Sequence, residues 1–236
     1  QYWLDKLAAR KVKCFSSSEK LDIWAEDISL DAQARASFTL CTKQHRVPVT
    51  LALPGKHNIS NALIAAALTS EFDVSLDEIA SALATMGEVK GRVNLIEASD
   101  SLTIIDDTYN ANVKSVKAAI DLLSDIQGHR ILALGDMGEL GEDARKYHQE
   151  VGEYALAQGI DELFTLGVLS KSASDVFELP NRHFSNREQM LQQIQNSISK
   201  VDKKITLVVK GSRSSRMELL VTDLVNGQQQ AINGVS

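Results

Sequence analysis

A chain of 236 residues, 44% hydrophobic and 24% charged, has room for one large domain or two small ones and the make-up of an ordinary soluble globular protein. Its net charge of −6 argues against a general nucleic-acid surface and against a membrane-binding face. Cys14 and Cys41 show no Cys-x-x-Cys spacing and have only His45 nearby, so no zinc site is spelled out and a reduced, cytoplasmic setting is expected.

No apolar run approaches the length of a transmembrane helix, and the N-terminus lacks a basic-then-apolar signal pattern. The chain starts at Gln1 and goes directly into helical spacing over Tyr2 to Arg10, which reads as a piece cut from something longer. A short strand is predicted at Val12 to Phe15. From Leu21 to Leu53 apolar residues alternate (Ile23, Ala25, Ile28; Ala36, Phe38, Leu40; Val47, Val49, Leu51, Leu53), which predicts three antiparallel strands. Pro54-Gly55-Lys56 stops the last of them. His57 to Phe72 then reads as a helix with Ile59, Leu63, Ala66, Ala67 and Leu68 on one face. Ser75 and Glu78 are spaced as a capping box for a second helix ending near Met86-Gly87. The polar stretch Gly87 to Arg92 is the candidate domain boundary, dividing the chain into 1–90 and 91–236.

Beyond it strands and helices alternate. Strands are predicted at Val93–Ile96, Leu102–Ile105, Arg130–Leu134, Glu162–Leu166 and Ile205–Val209, with helices between them and after the last. That rhythm predicts an α/β fold, a mostly parallel sheet with helices on both faces. The Gln- and Gly-rich tail after Asn226 reads as disordered.

In open α/β sheets ligands gather at the carboxyl ends of strands. Asp106 and Asp107 stand at such an end, in Leu102-Thr-Ile-Ile-Asp-Asp-Thr-Tyr-Asn-Ala-Asn112, where Asn112 is placed to cap the next helix. Asp107 could hold a ribose hydroxyl, a metal-bound water or an amine; the plainer reading is a charge at a helix N-terminus. Val209-Lys210-Gly211-Ser212-Arg213 repeats the pattern with cations, so Lys210, Arg213 and backbone amides would form an anion site facing Asp107 across the sheet's carboxyl edge. Otherwise it is a soluble loop. Asn58 and Asn61 share one side of a helix turn, next to His57, and amides of this kind match the edge of a nucleobase; simple helix capping is the competing reading. Arg92, after a glycine in the boundary segment, could clamp a phosphate or be a linker charge. His148 sits on an apolar helix face, where a packing role is expected. The glycines of Gly135-Asp136-Met137-Gly138-Glu139-Leu140-Gly141 are not spaced as a dinucleotide fingerprint, and Gly-x-x-x-x-Gly-Lys-Ser/Thr occurs nowhere.

Five stretches in order resemble the Mur ligases: Gly55-x-His57-Asn58-x-x-Asn61-Ala62, Gly91-Arg92, Asp106-Asp107-x-Tyr109-Asn110-Ala111-Asn112, Leu134-Gly135-Asp136-Met137-x-Glu139-Leu140-Gly141, and Lys210-Gly211-Ser212-Arg213-x-x-x-Met217-Glu218. The resemblance implies ATP-dependent amide-bond formation in peptidoglycan precursor synthesis. The particular motif versions resemble the branch that uses UDP-N-acetylmuramoyl-tripeptide (UDP-MurNAc-tripeptide) and D-Ala-D-Ala. It further implies that 1–90 is the strand-rich and helical end of a central ATPase domain and that 91–236 is a Rossmann-like C-terminal domain. The phosphate loop and the Mg2+ ligands are then expected upstream of Gln1, and no metal ligand is assigned in this chain. By resemblance, Asn58 and Asn61 meet adenine with His57 beside them, Arg92 contacts ATP phosphate, and Asp107 faces ribose and phosphates, with Tyr109 grouped among the nucleotide residues. Arg92, Asp107 and Lys210 are the implied catalytic set. Lys210, Ser212 and Arg213 would neutralise the dipeptide carboxylate or the charge developing in transfer, with Asn110, Asn112 and Asp136 as further candidates for that pocket. A monomer acting on small molecules, inactive as this chain alone, is the implied working state. Two alternatives stay open: a folate polyglutamating ligase of the same superfamily, against which the Tyr109-to-Asn112 stretch counts, and a non-catalytic binding module with the same fold.

Overall fold

The alternating stretch after residue 21 folds as predicted, into strands whose inward positions are apolar. The computed structural model describes residues 6, 7, 10, 12–86, 90–177 and 182–233, with 228–233 as backbone only. The expected helix over Tyr2 to Arg10 lies mostly outside them, as do 87–89 of the boundary segment. The chain divides into two compact units, Gln1–Gly87 and Glu88–Ser236.

In the first unit, β1 (Phe15–Ser16) runs parallel to β2 (Ile23–Leu30), which pairs antiparallel with β3 (Arg35–Thr42), and β3 with β4 (Arg46–Pro54). Two helices follow, α1 (His57–Thr69) and α2 (Leu76–Ala84); Leu68, expected on the apolar face of α1, is exposed instead, and Ala62 takes a buried place. Ile23, Phe38, Leu40, Val49 and Leu51 from the strands pack with Ile59, Leu63 and Ala66 of α1 and Ile79 and Leu83 of α2. A fully buried Leu such as Leu63 contributes about 1.5–3 kcal/mol. The opposite face of the sheet is polar, as the Ser37–Thr50 hydroxyl pair at 2.9 Å illustrates. Helix α2 starts where the capping box predicted: Ser75 Oγ accepts from the Glu78 N–H, and the Glu78 carboxylate accepts from the Ser75 N–H at 2.9 Å. Cys14 and Cys41 are both free thiols.

The second unit is built on six strands: β5 (Asn94–Ser99), β6 (Leu102–Asp107), β7 (His129–Gly135), β8 (Glu162–Leu166), β9 (His183–Phe184) and β10 (Ile205–Lys210). Their order in the sheet is β5-β6-β10-β7-β8-β9, parallel throughout except for the antiparallel β5–β6 edge. The helices are α3 (Val113–Ser124), α4 (Ala144–Ala157), the short α5 (Lys171–Asp175), α6 (Arg187–Ile198) and α7 (Glu218–Asn233). Met190 and Ile194 of α6 and Leu220, Val221 and Leu224 of α7 share one cluster with Ile104, Ile131, Phe164, Leu207 and Val209. Helices α3 and α4 pack against each other on the other side of the sheet, burying Val116, Ile120, Leu123 and Val151.

Two short elements, β9 and α5, were not predicted, because two and five residues carry no readable periodicity. The tail differs from its expectation as well. Instead of a disordered segment after Asn226, α7 continues to Asn233. Gln and Ala are good helix formers, and one Gly costs only about 1 kcal/mol in a helix already nucleated.

Candidate functional site

Strand β10 is inserted between β6 and β7, so strand ends distant in sequence come together at the middle of the carboxyl edge. From β6 the chain goes on to α3, and from β10 to α7, on opposite faces of the sheet. Diverging exits of this kind open a crevice, the usual ligand position in such folds.

At that point Asp107 and Lys210 are register partners. Residues opposite one another on neighbouring strands project to the same face, which brings the two side chains together. Lys210 is 2% exposed, and its ammonium donates to Asp107 Oδ2 at 2.5 Å, the Asp107 carbonyl at 3.4 Å and the Asn110 carbonyl at 3.1 Å. An ammonium has three protons, and three acceptors surround this one. In place of a cation facing Asp107 across an open edge, the structure has a buried pair that also fixes the loop after β6. Lys210 therefore offers a ligand shape rather than free charge.

The loop after β6 is tied down at several further points. Asp106 Oδ1 accepts from the Thr108 hydroxyl at 2.6 Å and its N–H at 3.2 Å. Asn110 Oδ1 accepts from the Ala111 N–H at 2.8 Å. Asn112 caps α3, its Oδ1 accepting from the Ser115 N–H at 2.9 Å, so the capping role read from the sequence is the one the structure displays.

Arg92 is held from the same loop. Its guanidinium lies 4.3 Å from the centre of the half-exposed Tyr109 ring. The Tyr109 N–H donates to the Gly91 carbonyl at 2.9 Å, and the Gly91 N–H to Asn94 Oδ1 at 2.7 Å. Gly91 has φ +74°, and a β-carbon there would stand 3.1 Å from the Tyr109 nitrogen. A side chain would therefore strain the backbone and crowd the loop that carries the arginine's platform.

Asp136 has a task that the sequence did not show. Its Oδ1 accepts from the N–H groups of Leu169 at 3.1 Å and Ser170 at 2.8 Å, and its Oδ2 from Val168 at 3.0 Å. Burial by itself would raise the carboxyl's pKa; the three backbone donors outweigh it and hold the group below the usual carboxylate range. Its carboxylate thus binds the loop after β8 rather than standing open as a ligand group. The backbone carbonyl of Asp136 accepts from the Ser212 N–H at 2.9 Å, joining the ends of β7 and β10. Gly211 permits that approach, since a β-carbon on it would lie 2.5 Å from Ser215 Oγ.

Beyond β10 an open cavity of about 810 Å³ is lined by Asn110, Gly138, Glu139, Ser212, Arg213, Ser214, Arg216 and Glu218. Ligand pockets commonly measure about 300–1,000 Å³, so a small peptide fits. Three predicted residues meet there: Asn110, Ser212 and Arg213. Ser212 is buried and pairs with Ser214 Oγ at 2.9 Å, whereas Arg213 is largely exposed and 3.8 Å from Glu218. Glu139, Arg216 and Glu218 were not anticipated. Glu139 and Glu218 belong to the quoted motifs, and their positions just after strand ends were the available signal. Arg216 has φ 49° between a 3-10 turn and α7, a backbone state that sequence gives little sign of in an arginine. His148 packs as expected: its Nε2 accepts from the Met137 N–H at 2.8 Å and its Nδ1 donates to the Ala144 carbonyl at 2.7 Å.

In the first unit, Asn58 and Asn61 do share one side of α1. Asn58 Nδ2 donates to the Pro54 carbonyl at 2.7 Å, and Asn61 Nδ2 to Asn58 Oδ1 at 2.9 Å. Both line a hollow whose other walls are Leu51, Leu53, Ala62, Ala65, Leu83 and Met86. Apolar walls with amides at the rim suit a flat heteroaromatic ring. His57 begins α1 beside them and does not line the hollow.

A mostly parallel sheet with a cavity at its carboxyl edge, together with a separate unit carrying an amide-rimmed hollow, defines a modular α/β protein. The sequence narrows the class: the chain belongs to the Mur ligase family, residues 91–213 matching its glutamate ligase domain and 1–69 its middle domain. It is 38% identical over 223 residues to the UDP-N-acetylmuramoyl-tripeptide–D-alanyl-D-alanine ligase of Escherichia coli strain K12, an alignment covering 94% of this chain and 49% of that protein. A crystal structure of MurF from Acinetobacter baumannii matches with a TM-score of 0.86 at 31% identity, over 94% of this chain and 48% of that one. The Thermotoga maritima MurF ligase, solved in complex with ADP, shares the fold with a TM-score of 0.78 at 19% identity, over 98% of this chain and 52% of that one. The chain thus spans about half the length of the relatives it matches.

Proposed function

We propose that this chain is part of an ATP-dependent ligase that joins D-Ala-D-Ala to UDP-N-acetylmuramoyl-tripeptide. The observation that carries the reading is 38% identity, across 94% of the chain, to an E. coli protein of that name. The ADP bound in the Thermotoga relative supports the choice of nucleotide. A cytoplasmic monomer working on small molecules goes with the reading.

The chemistry on this reading is phosphorylation of the tripeptide's terminal carboxylate to an acyl phosphate. The dipeptide's amine then attacks the carbonyl carbon and inorganic phosphate leaves. Such transfer depends on positioning and on stabilising charge. Arg92, steadied on Tyr109, neutralises phosphate charge. Asp107, its carboxylate oriented by Lys210, faces the ribose and phosphates. Asn58 and Asn61 hold the base, with His57 beside them. Arg213 takes the dipeptide's carboxylate, with Ser212 and Asn110 shaping its pocket; Asn112 and Asp136 support that pocket through the cap of α3 and the loop after β8. Mg2+ accompanies ATP on this reading. Among the described residues no group of three or more His, Cys, Asp or Glu could hold a metal ion, so no step is assigned to it from these side chains.

The test is ADP release by the full-length protein with each substrate omitted in turn. Release that requires both UDP-MurNAc-tripeptide and D-Ala-D-Ala is expected. Release driven equally by glutamate and a folate would replace this reading by the polyglutamating one.

A further inference from the structure

Val93, the residue after Arg92, has φ 55°. Left-handed backbone is uncommon outside glycine, and a β-branched side chain suits it worst, because its Cγ atoms crowd the neighbouring peptide groups. Of the six described non-glycine residues with positive φ, Val93 alone is β-branched. Its own preference is for extended backbone, so its neighbours impose this conformation, a situation that concentrates at functional sites.

What imposes it lies on either side. Before Val93, the Gly91 carbonyl accepts from the Tyr109 N–H at 2.9 Å, which ties the chain to the loop after β6. After it, Asn94 opens β5, is 7% exposed and pairs in register with Asp106 of β6. Asn94 Oδ1 also accepts from the Gly91 N–H at 2.7 Å, which clamps the two anchors together. Arg92 and Val93 alone have to turn the chain between them. The turn leaves Arg92 exposed, yet with its guanidinium 4.3 Å from the centre of the Tyr109 ring. Extended backbone at Val93 would reverse the direction in which Arg92 leaves β5, and the guanidinium would no longer meet the ring.

We propose that Val93 is a positioning residue: its left-handed backbone aims the Arg92 guanidinium over Tyr109 and toward the phosphate that Arg92 neutralises. The proposal rests on the ligase reading above and adds to it a residue that touches no substrate. Asn94 is the clamp and Val93 the residue under strain. Loosening the clamp lets Val93 relax and carries Arg92 off its platform.

The experiment uses the full-length protein with ATP, UDP-MurNAc-tripeptide and D-Ala-D-Ala. Val93→Pro cannot take a positive φ and should lower kcat at least about tenfold, with the KM for D-Ala-D-Ala within about twofold. Val93→Gly takes it without strain and should keep kcat within about threefold. Arg92→Ala combined with Val93→Pro should be no slower than Arg92→Ala alone, because nothing is left to aim; losses that multiply would overturn the proposal. Asn94→Ala opens the clamp without changing Val93. It should lower kcat roughly two- to fivefold, and adding Val93→Gly should recover part of that loss, which a merely structural role of Asn94 would not allow. A folded Val93→Pro that turns over like wild type overturns the proposal. If Val93→Pro does not fold, the Asn94 variants decide: Asn94→Ala at the wild-type rate, or a loss that Val93→Gly does not reduce, overturns it. If wild type ligates no D-Ala-D-Ala, the ligase reading fails by itself, and the aim of Arg92 is read from its Nε–H resonance. The Tyr109 ring should shift that resonance upfield in wild type and Val93→Gly but not in Val93→Pro or Asn94→Ala, and the same position in all four would overturn the proposal.

Discussion

Asp107 and Lys210, 103 positions apart in sequence, end neighbouring parallel strands in register, and their side chains close an ion pair at 2.5 Å in which Lys210 is buried and Asp107 partly so. The pair has two consequences. It cancels charge that would otherwise be stranded under the loop after β6. Through the Asn110 carbonyl it also sets the height of that loop beside the cavity beyond β10.

Breaking the pair from one side should be worse than removing it. Lys210→Met keeps the aliphatic stem but removes the ammonium that Asp107 Oδ2 and the Asp107 and Asn110 carbonyls accept from, and we expect a loss of about 1–3 kcal/mol in the stability of the second unit. Adding Asp107→Asn should restore a good part of it, because neither charge is then left alone. Urea unfolding of the two single variants and the double variant gives the coupling directly. Strictly additive losses would show that the two residues do not work as a pair.

The buried pair also marks where reading the sequence stops. Strand β6 was legible as an apolar run ending in carboxylates, and the capping box at Ser75 and Glu78 was legible because both partners lie within one turn. Lys210 at a strand end looks like any soluble cation. Its burial depends on β10 being inserted between β6 and β7, a non-local register that no local pattern encodes. Asp136 shows the same limit, since its three backbone donors come from a loop more than thirty positions away. Asn58 and Asn61 were readable as a pair because a helix turn alone places them together.

Arg92 and Tyr109 allow a prediction about rate. In the full-length protein, the proposed role of Arg92 on phosphate charge in the transition state predicts that Arg92→Ala lowers kcat roughly a hundredfold while changing the KM for D-Ala-D-Ala little. Tyr109→Phe keeps the ring face and should be nearly silent. Tyr109→Ala removes a cation–π contact worth about 0.5–1 kcal/mol at an exposed site and should lower kcat by roughly two- to fivefold. Steady-state kinetics with ATP and dipeptide varied separate these cases. An equal loss of rate in the Phe and Ala variants would mean that the hydroxyl, not the ring, matters, and two silent variants would mean that neither steadies Arg92.

For the hollow at Asn58 and Asn61 the expected effect is on nucleotide affinity. Asn61→Ala exposes no new buried group, and in the full-length protein it should raise the KM for ATP about five- to tenfold through loss of a hydrogen bond of about 1 kcal/mol or slightly more. Asn58→Ala also removes the bond to Pro54 and should in addition cost about 1 kcal/mol in stability. By itself, the 236-residue chain contains no Gly-x-x-x-x-Gly-Lys-Ser/Thr loop, and we expect it to bind ATP only in the millimolar range, about −4 kcal/mol. Calorimetric titration with ATP and magnesium checks this. Micromolar binding by the chain alone would show that other residues in it cradle the phosphates.

Asp136 carries a pH signature with a definite sign. Its folded pKa lies below the ordinary 3.8 because the N–H groups of residues 168–170 favour the charged form over the opposing effect of burial. A depressed carboxylate contributes stability that is fully present above the unfolded value and is lost as pH falls through the folded one. The second unit should therefore become less stable as pH drops from about 4 downward. Asp136→Asn keeps an acceptor for Leu169 and Ser170 but turns an NH2 group toward the Val168 N–H, which should cost about 1–2 kcal/mol near neutral pH. Below the wild-type folded pKa the native side chain is itself protonated and resembles the amide. The stability gap between wild type and Asp136→Asn should thus be constant at neutral pH and shrink in acid. Urea titrations of both proteins from neutral to strongly acidic pH measure that gap. A gap that stays the same on acidification would show that the charge on Asp136 contributes nothing to holding the loop after β8.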